Sequence, residues 1–521
     1  MQMYDNNLGR IEIRTLVLPV YVRRASATYT FSGKVLVDYH REDDPEEKDY
    51  IHIAVMNDDG TEFRDIYEGV IRIHQRANGI RFMPYQDNTK VLLGDYVLEC
   101  SPDIDHCEKS ELVPVVYPWN IKQDERVFKH WSEIIIAPDN GHICWTLLRT
   151  GGGAAVLYGN LVREENRYSI EKVQIIHTIK GFKKDPDQEG FLVPQIMHGG
   201  EVKQFVRGGK AISAVGAKNS VLVDSVIQDL TSEDTIQITK TPCYDETTIL
   251  SPDEKLGIVM STRFSPKTNF AILGLMPRPH GNLAAQNMIM TAYLYGVTAV
   301  RAYRKGNIGP VLIDIEKSVN EPGYQGVQLS DTEERWVYYS PMSWHPSGKK
   351  AMWPEGLRGT AEKRIRIVEL PDYKPQEAVP AQQSPQSIPY AETDEDKLWL
   401  LPDQNIEGKI AGKHSGYINY SKTNTFARSE YVEMSDDGLS FYNGYEASWN
   451  TAAGESVYEA DLIMTGRRTG QMKLRLTFSP ISFDGSSLPE LLLEDAEDGK
   501  PKSYGYANYN GTQINVEDLA D

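Results

Sequence analysis

His198, Glu201 and Glu246 are the residues best suited by type and spacing to move a proton. His198 stands in MHGGEVKQF with Glu201 three positions on, and Glu246 begins ETTILSPDEK. Imidazole titrates closest to neutral pH, and a carboxylate beside it orients the ring and raises its proton affinity. Asp245 and Arg263 flank the Glu246 segment, Glu133 and His130 lie in KHWSEIII, and His280 follows Arg278 in the loop MPRPHGN. These five are expected to bind substrate. Arg263 clamps a polar or anionic small molecule while His198, Glu201 and Glu246 exchange its proton. The plainer reading is structural, with Glu–Arg pairs bridging neighbouring strands and loop histidines capping or solvated.

Other chemistries find no support in the spacing. GGGAAVLYGN, from Gly151, lacks the Lys-Ser/Thr ending of a phosphate loop and the strand–helix setting of a dinucleotide site. No nucleotide cofactor is therefore expected. The absence of a Gly-x-Ser-x-Gly elbow and of a His-Glu-x-x-His pair argues against serine hydrolase and zincin chemistry. Cys100 and Cys107, with His106 beside the second, lack the further ligand pair that a structural zinc needs, so no metal site is assigned. SDDGLSFYNG carries two adjacent acids away from EF-hand spacing and reads as a hairpin turn.

The elements that must position these residues form a repeat: an apolar strand, a Pro-Asp-Gly-like turn and a second strand. Its copies are EIIIAPDNGHICWTLLR from Glu133, ETTILSPDEKLGIVMSTR from Glu246 and SPMSWHPSGKKAMWPEG from Ser340. EVKQFVRGGKAISAVGAK from Glu201 and IRFMPYQDNTKVLLGDYVLE from Ile80 are weaker copies. Pro presets φ at the first corner, Asp or Ser bonds back to the backbone, and Gly or Asn tolerates positive φ. Such a unit is too narrow to bury a face alone, so copies stack radially. Aligned on the turn, Ser132, Glu201, Glu246 and Ser340 stand six residues before it. Arg149, Lys218, Arg263 and Arg358 stand eleven or twelve after. In an antiparallel hairpin these positions meet at the end far from the turn. Repetition would gather them at one mouth of a central channel.

APDNG, SPDEK and HPSGK resemble the turns of TolB-like, WD-repeat-related β-propellers. The resemblance implies a propeller fold; blades of about 40–50 residues give seven, with six to eight compatible with the spacing. It implies little about activity, because scaffolds, transport factors, peptidase gates and lyases share the fold. Oligogalacturonate lyases use such a propeller with a His base and a metal held by His and Gln. Their clustered metal-ligand histidines have no counterpart in this sequence.

The expected fold class is all-β. At 521 residues the chain is too long for one hydrophobic core. A propeller is expected over 1–370, a Pro/Gln/Ser-rich linker over 371–397, and an all-β domain, a small sandwich or barrel, over 398–521. Asp437-Gly438, Asn443-Gly444 and Thr469-Gly470 mark its hairpins. A net charge of −19 repels phosphate and anionic lipid, which sets aside nucleic acid and membranes as partners. No basic n-region precedes an apolar run at the N-terminus, so a cytoplasmic location is expected. Four cysteines are too few for a disulfide scaffold. The leading functional expectation is a proton-transfer enzyme of lyase, isomerase or dehydratase type acting on a small polar molecule. The second is a non-catalytic protein- or ligand-binding module. The third is carbohydrate binding through Tyr417, Tyr420, Tyr442, Tyr445 and Trp449, rings that at alternating spacing also suit a core.

Overall fold

One hairpin turn recurs around the propeller. In APDNG, SPDEK, HPSGK, YQDN and TFSG the fourth residue donates its amide to the carbonyl of the first, at 2.8–3.1 Å: Asn140 to Ala137, Glu254 to Ser251, Gly348 to His345, Asn88 to Tyr85 and Gly33 to Thr30. That fourth residue has φ between +56° and +92° in all five. This is a type I turn closed by a left-handed residue, which matches the twist of the two strands it joins. The fourth blade uses a variant, with Arg207 and Gly208–Gly209 at positive φ.

The computed structural model describes residues 2–47, 49–72, 80–150, 153–177, 182–194, 200–216, 221–265, 271–304, 306–330, 335–340, 342–399, 405–482, 486–496 and 499–519. Among these the hairpins build six blades. The first runs Arg23–Tyr29, Val35–His40, Tyr50–Met56, Arg64–Val70. The second runs Met83–Pro84, Lys90–Leu92, Tyr96–Ser101, Lys109–Val116. The third runs Val127–Ile136, His142–Arg149, Ala154–Arg163, Tyr168–His177. The fourth runs Val202–Val206, Ala211–Gly216, Asp224–Asp229, Thr235–Gln237. The fifth runs Asp245–Leu250, Leu256–Ser261, Gly309–Asp314, Val327–Gln328. In the sixth, the broken inner strand Trp336–Tyr338 and Ser343–Trp344 pairs with Lys350–Leu357, which pairs with Lys363–Glu369. The N-terminal strand Gly9–Thr15 then pairs with Lys363–Glu369 and closes the ring. Spacing favoured seven blades; six are observed because a long insertion in the fifth and irregular chain between blades take up the remainder.

Apolar clusters fill every gap between neighbouring blades. Leu36 and Ile53 meet Val91 and Leu98 between the first two blades. Trp145 and Leu157 meet Val97 and Val113 between the second and third. Ile258 and Leu312 meet Trp353 and Val368 between the fifth and sixth. Each blade thus buries both faces, as radial stacking requires.

A buried acid joins the first blade to the chain entering the second. Asp38 accepts hydrogen bonds from the Ser26 amide at 3.2 Å, the Ser26 hydroxyl and the Ile80 amide at 3.3 Å. Burial pushes its pKa up to about 6, against the lowering effect of those bonds. Between about pH 4 and 6 the folded chain therefore keeps a proton that the unfolded chain releases, so this group's contribution to stability falls as pH rises. Above pH 6 the loss levels off at about 2–3 kcal/mol. The stability difference between Asp38→Asn and the parent, from urea unfolding at pH 4 to 7, is expected to shift in favour of the variant by that amount. A difference that is flat with pH would contradict it.

The C-terminal region is one eight-stranded antiparallel meander, every strand beside its sequence neighbours, from Ile406–Ala411 to Thr512–Asn515. Its concave face closes on a segment inserted between the second and third strands of the fifth blade. Ile272, Leu273, Met276, Leu283, Met288 and Tyr295 of that segment share one core with Ile418, Tyr420, Tyr431, Tyr458, Leu474 and Phe478. Arg278 donates to Glu446 at 2.5–2.9 Å, and Tyr431 and Tyr458 donate to the same carboxylate at 2.6 and 2.7 Å. Asn443-Gly444 makes no turn: both lie inside Ser440–Asn450, opposite a bulge at Glu433, whose amide bonds to Asn443 Oδ1 at 3.0 Å.

Residues 371–397 form a strap along the rim that carries the turns. Gln376 N donates to Asp253, Val379 N to Pro252 O, Gln382 N to Gly208 O and Ser384 N to Asp139, all at 2.8–2.9 Å. The strap therefore tracks the fifth, fourth and third blades in turn, and it buries Ile388 between the third and fourth. Burial works to raise the Asp139 pKa, but hydrogen bonds from His142, Gly141 and Ser384 override it and hold the carboxyl well below its usual range.

Candidate functional site

The inner strands of the third and fifth blades converge on Lys203 of the fourth. Its Nζ lies 3.4 Å from Glu133, 2.8 Å from Glu201 and 3.0 Å from Glu246. Glu201 immediately precedes the strand Val202–Val206, and Lys203 lies at a register irregularity between Val202 and Gln204. Arg81, from the chain leading into the second blade, pairs with Glu133 and donates to Lys203 O at 3.0 Å. Lys203, Glu133 and Arg81 are each less than 5% exposed. An ammonium has three protons, and three carboxylates take them. Tyr244 donates to Glu246 at 3.3 Å. From the insertion, Arg301 donates to Tyr338 O at 3.1 Å and faces the Tyr339 ring. The charges therefore make an ionic plug between the inner strands, in which only Glu201 keeps appreciable exposure.

The expected site residues thus divide. Glu133, Glu201 and Glu246 meet in the channel. Asp245 and Arg263 pair with each other at 2.8 Å, and Arg263 also donates to Gln325 O at 3.0 Å, toward the outer strand of the fifth blade. Successive side chains of a strand point to opposite faces, which turns Asp245 away from its neighbour Glu246. His130 bonds to Asp95 at 2.7 Å, next to Lys122 and Trp131, at the junction of the second and third blades. His280 lies against the C-terminal meander at φ +54°, and burial lowers its pKa. His198 and Lys218 lie outside the described residues. Lys203 and Arg81 were missed by turn alignment, which looked only at strand ends. Their signal was a lone cation inside a short apolar run, VKQFV and IRFMP.

On the turn side of the plug the channel widens into a cavity of about 310 Å³. All six blades and the strap contribute to its wall. Phe31, Phe82, Phe205 and Trp344 supply aromatic surface, with Met83 and Met342 between them. Trp344 is fixed by its indole N–H, which donates to Ile249 O at 2.9 Å. Arg81 and Lys203 form the floor, already engaged by the plug, and Ala378, Val379 and Ala381 of the strap line one side. The lining is thus predominantly apolar and aromatic, with polar groups at the floor and at Thr30, Gln86, Gln204, Ser251 and Glu254, the usual character of a small-molecule pocket. No group of three or more metal-ligating side chains occurs among the described residues, and no helix among them is long and apolar enough to cross a membrane.

The five C-terminal rings separate by strand alternation. Tyr420 and Tyr442 are buried in the core, whereas Tyr417, Tyr445 and Trp449 lie outward under Lys409, Arg428 and Arg475. Each outward ring already carries a cation within 5.4 Å of its centre.

No protein-family model and no curated protein matches the chain. Solved structures similar to it include a putative TolB from Agrobacterium tumefaciens, with TM-score 0.33 and 10% identity over 59% of this chain and 80% of that one. TolB from Acinetobacter baumannii has TM-score 0.31 and 10% identity over 66% and 63%. The β-propeller domain of the Trilobed protease from Pyrococcus furiosus has TM-score 0.29 and 8% identity over 84% and 97%. The chain spans under two thirds of the Acinetobacter protein. These likenesses are of fold alone, and the strand order among the described residues makes this chain a six-bladed β-propeller carrying a further β-domain.

Proposed function

We propose that this protein is a ligand-binding propeller whose axial cavity, on the face carrying the hairpin turns, takes an apolar, aromatic-bearing small molecule. One observation carries the reading. The channel is plugged by saturated ion pairs at one end and opens at the other into an aromatic-lined cavity of about 310 Å³. That volume falls within the range of about 300–1,000 Å³ occupied by small-molecule sites. N-phenyl-1-naphthylamine is a neutral probe that fluoresces in apolar surroundings and fits a cavity of this size. It is expected to bind at a single saturable site. Val379→Trp, which drives a ring from the strap into the cavity, is expected to weaken that binding at least about tenfold, or 1.4 kcal/mol. Equal binding by the variant would remove the cavity as the site.

A second reading, proton transfer of lyase, isomerase or dehydratase type, is favoured by Glu201, whose side chain keeps 30% exposure while contacting Lys203. It would be supported by solvent-deuterium exchange into a small polar acid that is lost in Glu201→Gln, while probe binding is unchanged.

A further inference from the structure

Three charged side chains line the axial cavity: Arg81, Lys203 and Glu254. The two cations are already spent in the floor. Lys203 contacts Glu133, Glu201 and Glu246, and Arg81 pairs with Glu133. Glu254 is different. It accepts the Arg207 amide through Oε1. Its Oε2 has no hydrogen-bond or ion-pair partner among the described residues. The Arg207 guanidinium is paired with Asp229 instead, at 3.0 Å. Glu254 also occupies an awkward backbone position. The equivalent residue of the other four turns is Asn140, Gly348, Asn88 or Gly33, types that suit positive φ, whereas Glu254 holds φ +56°. Such local cost persists where the side chain has a task.

We propose that the cavity selects a ligand whose apolar body ends in an ammonium group, with the cation held by Glu254 and the aromatic wall. This rests on the axial cavity being the ligand site. Phe31, Phe82, Phe205 and Trp344 share the lining with Glu254. The faces of such rings attract cations, quaternary ammonium groups above all, and a carboxylate beside them supplies the opposite charge. Burial raises the Glu254 pKa, and a cation docked beside it favours the ionised form again. A net charge of −19 draws cations toward the protein as a whole. An anionic ligand would meet the same carboxylate with no compensation, because both floor cations are already paired.

Benzyltrimethylammonium and neopentylbenzene have the same shape and differ in charge. Binding of each to the full-length protein would be measured by isothermal titration and by displacement of N-phenyl-1-naphthylamine. The cation is expected to bind at least about tenfold more tightly than its neutral isostere. Glu254→Gln, which keeps an acceptor for the Arg207 amide, is expected to lose at least about tenfold in affinity for the cation and less than about twofold for the isostere. Glu254→Asn, a residue that suits the turn, is a second variant with the same expected loss. The preference of the parent protein needs no variant to fold. Displacement of the naphthylamine by both compounds with no preference for the cation, or equal weakening of both in the variants, would overturn the ammonium proposal while leaving the cavity as a binding site. No binding of the naphthylamine or of either compound would overturn both readings.

Discussion

Expressed on its own, the C-terminal segment 398–521 is expected to remain unfolded. Its meander has no second layer of its own. The concave face is filled by Ile272, Leu273, Met276, Leu283, Met288 and Tyr295, which belong to the insertion in the fifth blade. Each such side chain contributes about 1.5–3 kcal/mol when buried, so losing six removes on the order of 9–18 kcal/mol. A whole domain is stable by only about 5–15 kcal/mol. Glu446 would also lose Arg278, its buried cation, and an unpaired buried carboxylate is strongly destabilising. Amide proton dispersion in an NMR spectrum of the fragment reports the outcome. Collapsed resonances are expected; a dispersed, folded spectrum would show that the meander holds itself together.

Lys203→Met is expected to destabilise the propeller by about 3–5 kcal/mol, the usual result of removing one partner from a buried ion pair. The change removes the ammonium that Glu133, Glu201 and Glu246 share. Three blades are tied through that one nitrogen, so the loss weakens their inner strands together. Adding Glu246→Gln to the variant removes one of the stranded charges and is expected to restore part of the stability. Urea midpoints for the parent, the single and the double variant test this. An unchanged midpoint for Lys203→Met would mean that the plug does not hold the blades.

The propeller was legible because its turns have chemistry of their own. Pro138-Asp139, Pro252-Asp253 and Pro346-Ser347 announce a tight corner whatever surrounds them. The equivalent turn at Phe31-Ser32-Gly33 passed unnoticed for want of Pro and Asp, although its backbone is the same. Alignment on the turns also brought out Glu201 and Glu246, and their convergence was legible. What they converge on was not, because an inner-strand lysine is distinguished only by being surrounded on all sides, which depends on contacts between blades. Arg263 and Asp245 were drawn to the channel by position alone, yet they satisfy one another. The insertion was the least legible part. Helical turns such as Ala271–Gly274 and Ile289–Tyr293 are too short for a periodic signal, and their apolar side chains answer a sheet that begins more than a hundred residues later. The path of the strap was not legible, because it depends on Asp139 and Asp253, whose side chains serve the turns as well.

The axial cavity is the claim on which the functional account stands, and anomalous diffraction locates a ligand there most directly. Crystals grown with 4-bromobiphenyl, a neutral aromatic carrying a strong anomalous scatterer, are expected to show a bromine peak on the propeller axis, in contact with Phe205 and Trp344 and beneath the strap at Val379. A peak on the outward face of the C-terminal meander, with none in the channel, would contradict the account.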